Sequence, residues 1–211
     1  MIIIFDTETT GLPKNYSASA EDVDNWPRII QLAYGLYEND GTLIKLVNNL
    51  IKPDGWSLPT KETFLAEGKT EEEAIKAANF WIENGYTNEK LETEGKPIKE
   101  LLNEFVNDRL ISEFAVAHNI SFDSKIIRAE MFRANMHVEF TSKKFCTMQS
   151  STSFCNLPKK NGKGKKWPTL TELHTVLFQK DFEGSHDAAN DVDACAKCFF
   201  ELVRIGVIKL N

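Results

Sequence analysis

The chain has 211 residues, with 25 basic against 31 acidic side chains and a formal net charge of −6, which argues against a protein that coats nucleic acid through bulk charge. At 24.0 kDa, 42% hydrophobic and 27% charged, its composition fits one α/β domain with an ample core. No apolar run approaches the roughly 20 residues of a membrane span, and the apolar start lacks the basic flank of a secretion signal and is cut short at Asp6.

Met1-Ile2-Ile3-Ile4-Phe5 reads as a strand buried on both faces, ending in Asp6-Thr7-Glu8-Thr9-Thr10-Gly11. In extended chain Asp6 and Glu8 leave the same face. Two carboxylates held at the end of a buried strand raise each other's pKa unless a cation neutralises them. Oxygen donors of that kind suit Mg²⁺ or Mn²⁺; a strand running into a polar, solvated turn is the other reading. Residues 28–37 and 42–51 read as further strands, joined through Glu38-Asn39-Asp40-Gly41, where Asp-Gly favours a hairpin. The first three strands therefore form an antiparallel meander, closed by Pro53-Asp54-Gly55.

Residues 60–84 are charged, Ala-rich and helical in character, with a stop at Asn84-Gly85. Leu101, Leu102, Phe105, Val106 and Leu110 recur at helical spacing between Pro97 and Ile111. A strand at 114–118 leads into a helix at 121–134, with Ser121 as a candidate cap. A short strand at 143–146 and helices at 169–178 and 187–204 complete the pattern. Antiparallel strands followed by βαβ-like alternation predict an α/β mixed sheet flanked by helices.

Two further segments carry chemistry. His118-Asn119-Ile120-Ser121-Phe122-Asp123 lies at a strand-to-helix junction, where Asp123 would meet the positive end of the helix dipole. His186-Asp187-Ala188-Ala189-Asn190-Asp191 opens the last helix; beside those acids His186 could accept a proton near neutral pH. Lys159–Trp167 reads as a mobile, lysine-rich loop, either merely solvated or, with Trp167 beside it, a grip on a phosphate backbone. Cys195-x-x-Cys198 has zinc-like spacing without a second ligand pair, so thiols on a helix face are expected. With Cys146 and Cys155 they form no small-protein disulfide framework, which favours a reducing, cytoplasmic setting. Phe132, Phe199 and Phe200 are expected in the core, and His137 and His174 as surface or packing residues.

Taken jointly and in this order, Phe5-Asp6-Thr7-Glu8-Thr9-Thr10-Gly11-Leu12, His118-Asn119-x-x-Phe122-Asp123 and His186-x-Ala188-x-x-Asp191 resemble the DnaQ-like, DEDDh-type 3′–5′ exonucleases. Arg28-Ile29-Ile30-Gln31-Leu32-Ala33 and Lys166-Trp167-Pro168-Thr169-Leu170 look like segments of the same family, and the resemblance runs over nearly the whole chain. It implies a ribonuclease H-like mixed sheet, three antiparallel strands then parallel ones, and a single exonuclease domain over 1–211. A helical insertion near 58–84 and the lysine-rich loop at 159–166 would be added to it. It further implies that Asp6, Glu8, Asp123 and Asp191 hold two Mg²⁺ or Mn²⁺ ions and that His186 is the general base. Two metals roughly 3.5–4 Å apart suit an in-line phosphoryl displacement. Thr9, Leu12, His118 and Asn119 would contact substrate, with Phe122 packed on the terminal base.

The implied substrate is a 3′-ended or single-stranded nucleic acid, DNA with RNA as the alternative, and the products are 5′-mononucleotides. With no polymerase domain in sight, proofreading would need a polymerase in trans. The chain departs from the family at Trp81–Lys90, where Asn84 stands at the place of a histidine that helps hold the terminal nucleotide. Two other readings remain. A haloacid-dehalogenase-type phosphatase also places Asp-x-Asp-x-Thr after an apolar strand, echoed by Asp6-Thr7-Glu8-Thr9-Thr10, but gives 186–191 no role. A non-catalytic nucleic-acid-binding module need not keep all five site residues.

Overall fold

The computed structural model describes residues 1–182 and 187–210. Its centre is β1 (Ile2–Thr9), flanked antiparallel by β2 (Ile29–Tyr37) and parallel by β4 (Phe114–Ala117). The edges are β3 (Leu43–Leu50), antiparallel to β2, and β5 (Lys143–Cys146), parallel to β4. The order β3-β2-β1-β4-β5 is the mixed sheet expected from the sequence. Gly41, at φ +94°, closes the β2–β3 hairpin as Asp40-Gly41 predicts.

Strand periodicity decides which layer each β1 residue meets. Ile3 and Phe5 enter one core with Leu101, Leu102 and Phe105 of α4 (Ile98–Leu110) and Ile126 and Ile127 of α5 (Ile120–Arg133). Ile2 and Ile4 enter a second with Cys195, Phe199 and Leu202 of α8 (Ala188–Arg204). Burying each of these β1 side chains stabilises the fold by about 1.5–3 kcal/mol. In α8, Val192, Cys195, Phe199 and Leu202 are all buried, at the spacing of one helical face.

The 60–84 region differs from a single helix. It forms α1 (Lys61–Ala66) and α2 (Glu71–Glu83), with threonine caps at Thr60 and Thr70. Two helices went unforeseen: α3 (Asn88–Glu94), which buries only Leu91, and α6 (Thr147–Cys155), whose serines and threonines favour helix weakly. The remaining helix, α7, spans Leu170–Phe178. The cap expected at Ser121 falls on Asn119, whose left-handed conformation (φ 70°, ψ 46°) turns the chain abruptly out of β4.

Phe199 is a core residue as expected, but Phe132 and Phe200 are half-buried; Phe132 lies edge-on to His137, 5.7 Å between ring centres. His174 is buried, its Nδ1 2.8 Å from the Lys180 carbonyl. Cys195 and Cys198 are free thiols buried in the α8 core. Among the described residues no helix is long and apolar enough to cross a membrane.

Candidate active site

Asp6 and Glu8 share the strand face of Ile2 and Ile4, so they look toward α8, and Asp191 in its first turn faces them. One carboxylate oxygen from each of Asp6, Glu8 and Asp191 lies within 4.8 Å of the other two. Thr7, one residue out of phase, looks to the α5 side. There its backbone N–H and its hydroxyl both donate to Asp123 Oδ1, at 3.1 and 2.8 Å. Asp123 is therefore fixed beside the cluster but outside the triangle, and of all the acids it acts on Asp6 most strongly. Of the four carboxylates expected, three converge and the fourth flanks them.

Their protonation follows from that crowding. Burial pushes Asp6 well above the ordinary carboxylate range, and repulsion from Asp123, Asp191, Glu8 and Asp187 adds to it. Asp6 keeps some surface at the mouth of the site, yet its carboxylate is packed round by protein. Glu8 is raised to about 8 by burial and then by Asp191, Asp123 and Asp187. Asp123 rises to about 7 through burial, against the lowering effect of its Thr7 hydrogen bonds. Hard oxygen donors that repel one another at this range suit a divalent cation in Asp6, Glu8 and Asp191, with Asp123 alongside.

A buried amide sets the start of α8. Gln31 Oε1 accepts from the Tyr86 hydroxyl and, at 3.0 Å, from Ala188 N–H. Gln31 Nε2 donates to Asn48 Oδ1 at 2.9 Å and Asp187 Oδ2 at 3.1 Å. Asp187 Oδ1 in turn caps Ala189 and Asn190. All four hydrogen-bonding positions of the amide are filled, which leaves Asp191 little freedom of placement. Gln31, Tyr86 and Thr7 were missed as site residues; Gln31 stood in a family-like segment, but its partners are 17, 55 and 156 residues away. Asn84 folds back on α2, donating to the Phe80 carbonyl at 2.7 Å, and Tyr86 reaches toward the acids instead.

The other expected residues divide. Thr9, Leu12 and Phe122 line a groove of about 860 Å³ that runs from Thr7 and Glu8 to Lys69, Lys76 and Phe80 near α1 and α2. A register break after Glu8 re-aims the strand there, and Leu12 stands 72% exposed. His118 is turned inward: its Nε2 donates to the Pro168 carbonyl at 3.0 Å, so its Nδ1 accepts from Thr147 Oγ1 at 2.9 Å. Burial lowers its pKa to about 4, so it is neutral. Asn119 acts through its backbone turn. His118 and Asn119 are not among the residues lining the groove. His186 lies outside the described residues.

The fold is an α/β mixed sheet of the ribonuclease H-like kind, with a carboxylate cleft at the end of its central strand. No family model matches the sequence, and no curated protein sequence is detectably similar. The structure is similar to Escherichia coli exonuclease I in complex with a dT13 oligonucleotide, at 14% identity and a TM-score of 0.67, over 96% of this chain and 40% of that one. It is similar also to a moderately thermophilic exonuclease I from Methylocaldum szegediense, at 15% identity and 0.68, over 97% and 40%. A zinc-bound complex of the E. coli enzyme with single-stranded DNA matches at 14% and 0.63, over 97% and 40%. The match spans about two fifths of those proteins' length. The fold implied by the resemblance to DnaQ-like exonucleases is the fold of this chain.

Proposed function

We propose that this chain is a metal-dependent 3′–5′ exonuclease that releases 5′-mononucleotides from single-stranded nucleic acid, DNA first and RNA as the alternative. The observation that carries the reading is the convergence of Asp6, Glu8 and Asp191 within 4.8 Å beside a groove open to a polymer. Support comes from the fold shared with exonuclease I, crystallised with oligonucleotides. Asp6, Glu8 and Asp191, with Asp123 beside them, would hold two Mg²⁺ or Mn²⁺ ions. Bound there, such ions supply Lewis-acid polarisation of the phosphodiester and a more acidic water.

The chain's own residues do the rest. Thr7 fixes Asp123, and Gln31 fixes the start of the helix that carries Asp191. Leu12 and Thr9 border the 3′-terminal nucleotide, and Phe122 offers its ring to the base, which tolerates any sequence. His186, five residues before Asp191, accepts the proton of the attacking water. The same reading takes 1–211 as one cytoplasmic exonuclease domain with 58–84 as an insertion, and leaves proofreading to a polymerase in trans.

The test is product analysis on matched 5′-labelled DNA and RNA strands with Mg²⁺. Stepwise shortening with mononucleotide release, abolished by EDTA, is expected. Hydrolysis that EDTA leaves intact overturns the reading, and a covalent phosphate on Asp6 would establish the phosphatase alternative.

A further inference from the structure

Residues 159–166 hold the densest run of one charge in the chain: five lysines in eight residues, with no acid among them. The segment is a structured hairpin. Pro158 and Lys165 form an antiparallel bridge, Lys159 N–H donates to the Gly164 carbonyl at 3.1 Å, and Lys166 N–H to that of Leu157 at 2.9 Å. Gly162 and Gly164 provide the positive φ of the reversal, 69° and 81°. Two lysines hold it to the body: Lys165 Nζ donates to the Ser153 carbonyl at 3.2 Å, and Lys166 pairs with Glu172 at 2.5 Å. Lys159, Lys160 and Lys163 are exposed and have no ion partner among the described residues.

The hairpin's position relative to the carboxylates is set by contacts. Trp167 ends it, 63% exposed, and Phe154 beside Ser153 is 42% exposed. The next residue, Pro168, is buried, and its carbonyl takes the His118 Nε2 hydrogen bond. His118 directly follows β4, and continuing the β1–β4 register brings it level with Asp6, one strand over. Adjacent strands lie about 4.8 Å apart. The Thr147 hydroxyl bound to His118 also reaches Cys195 Sγ on α8 at 3.7 Å, one turn beyond Asp191. The root of the hairpin is thus braced against the end of β4, the neighbour of the strand that carries Asp6 and Glu8, and through Thr147 toward the helix that carries Asp191.

We propose that this hairpin is a second nucleic-acid contact: Lys159, Lys160 and Lys163 bind phosphates of the strand upstream of its 3′ end, and Trp167 and Phe154 offer faces for its bases. An acidic cleft in a chain of net charge −6 repels a polyanion wherever cations are not bound, so attraction has to come from elsewhere on the surface. Three unpaired ammonium groups supply it, and an exposed indole stacks on any base. The ligand class rests on the proposed exonuclease reading; the placement of the surface does not.

The test measures binding apart from hydrolysis, by fluorescence anisotropy of a long phosphorothioate single strand in EDTA. Changing Lys159, Lys160 and Lys163 together to alanine should weaken binding about tenfold and flatten the dependence of log affinity on log salt by about 2, the counterion release of three contacts. Trp167→Ala should weaken binding about tenfold with the salt slope unchanged. In Mg²⁺ the triple variant should raise KM on long strands and hydrolyse dinucleotides at the wild-type rate. Unchanged affinity and slope, or an equal loss on long and short substrates, overturns the proposal. Lysine-dependent binding by a wild-type chain that hydrolyses nothing would uphold the hairpin and defeat the exonuclease reading.

Discussion

Stripped of divalent cations, this protein should lose stability as pH rises from about 6.5 to about 8, the reverse of carboxylates that gain partners on folding. The cause is that burial and mutual repulsion hold Glu8 at about 8, Asp123 at about 7 and Asp6 well above the ordinary range. In that window the folded protein keeps protons the unfolded chain has released, so stability is highest at the acid end and falls toward the folded-state values. Each pH unit of displacement is worth about 1.4 kcal/mol, which for Glu8, moved from 4.5 to about 8, bounds the loss at about 5 kcal/mol. The acids repel one another, so their contributions are shared, and below pH 6.5 the buried neutral His118, protonated only in the unfolded chain, offsets them; about 2–3 kcal/mol is expected between pH 6.5 and 8. In a domain of this size that is a fall of about 6 °C in Tm. Calorimetry in EDTA across the window, repeated with Mg²⁺, reads it directly. Mg²⁺ should remove most of the slope, and Glu8→Gln should flatten it without metal. A Tm that is level or rising in EDTA, or a slope that Mg²⁺ leaves untouched, refutes the reasoning.

Other outcomes follow from single contacts. Thr7→Val removes the hydroxyl 2.8 Å from Asp123 and should cost about 1–2 kcal/mol in urea unfolding, with a measurable loss of kcat. Gln31→Leu strands the groups it joins at Asn48, Tyr86, Asp187 and Ala188; about 3 kcal/mol of stability and weaker Mg²⁺ binding by calorimetry are expected. Glu130, almost wholly buried, takes Arg28 at 2.8 Å, Arg133 at 3.0 Å and Ile29 N–H at 3.3 Å. Glu130→Ala should therefore cost about 3–5 kcal/mol in the same unfolding assay. In single-turnover assays Asp6→Ala should abolish hydrolysis, and His186→Ala should slow it by roughly two to four orders of magnitude.

The sheet was legible because each cue was local: the Ile-rich run, the Asp40-Gly41 turn, and the alternation that sends Asp6 and Glu8 to one face. That same alternation, followed one residue further, would have sent Thr7 to α5 and so toward Asp123. The break between α1 and α2 was harder to see, since residues 60–84 are helical in composition throughout. Helix α6 has poor intrinsic propensity and is formed by packing, with Met148 and Ser151 buried. Tyr86 could not be read as a site residue, because its role depends on a contact with Gln31 55 positions away. His118 is the converse case: its place in the motif points to substrate, while folding gives both ring nitrogens partners within the chain.

The central claim is that Asp6, Glu8 and Asp191 together bind divalent cations, and electron paramagnetic resonance of Mn²⁺ titrated into the protein tests it most directly. Saturable binding is predicted for the wild type, lost or severely weakened in Asp6→Asn and in Asp191→Asn while both variants remain folded. Mn²⁺ bound equally well by wild type and variants would contradict the account.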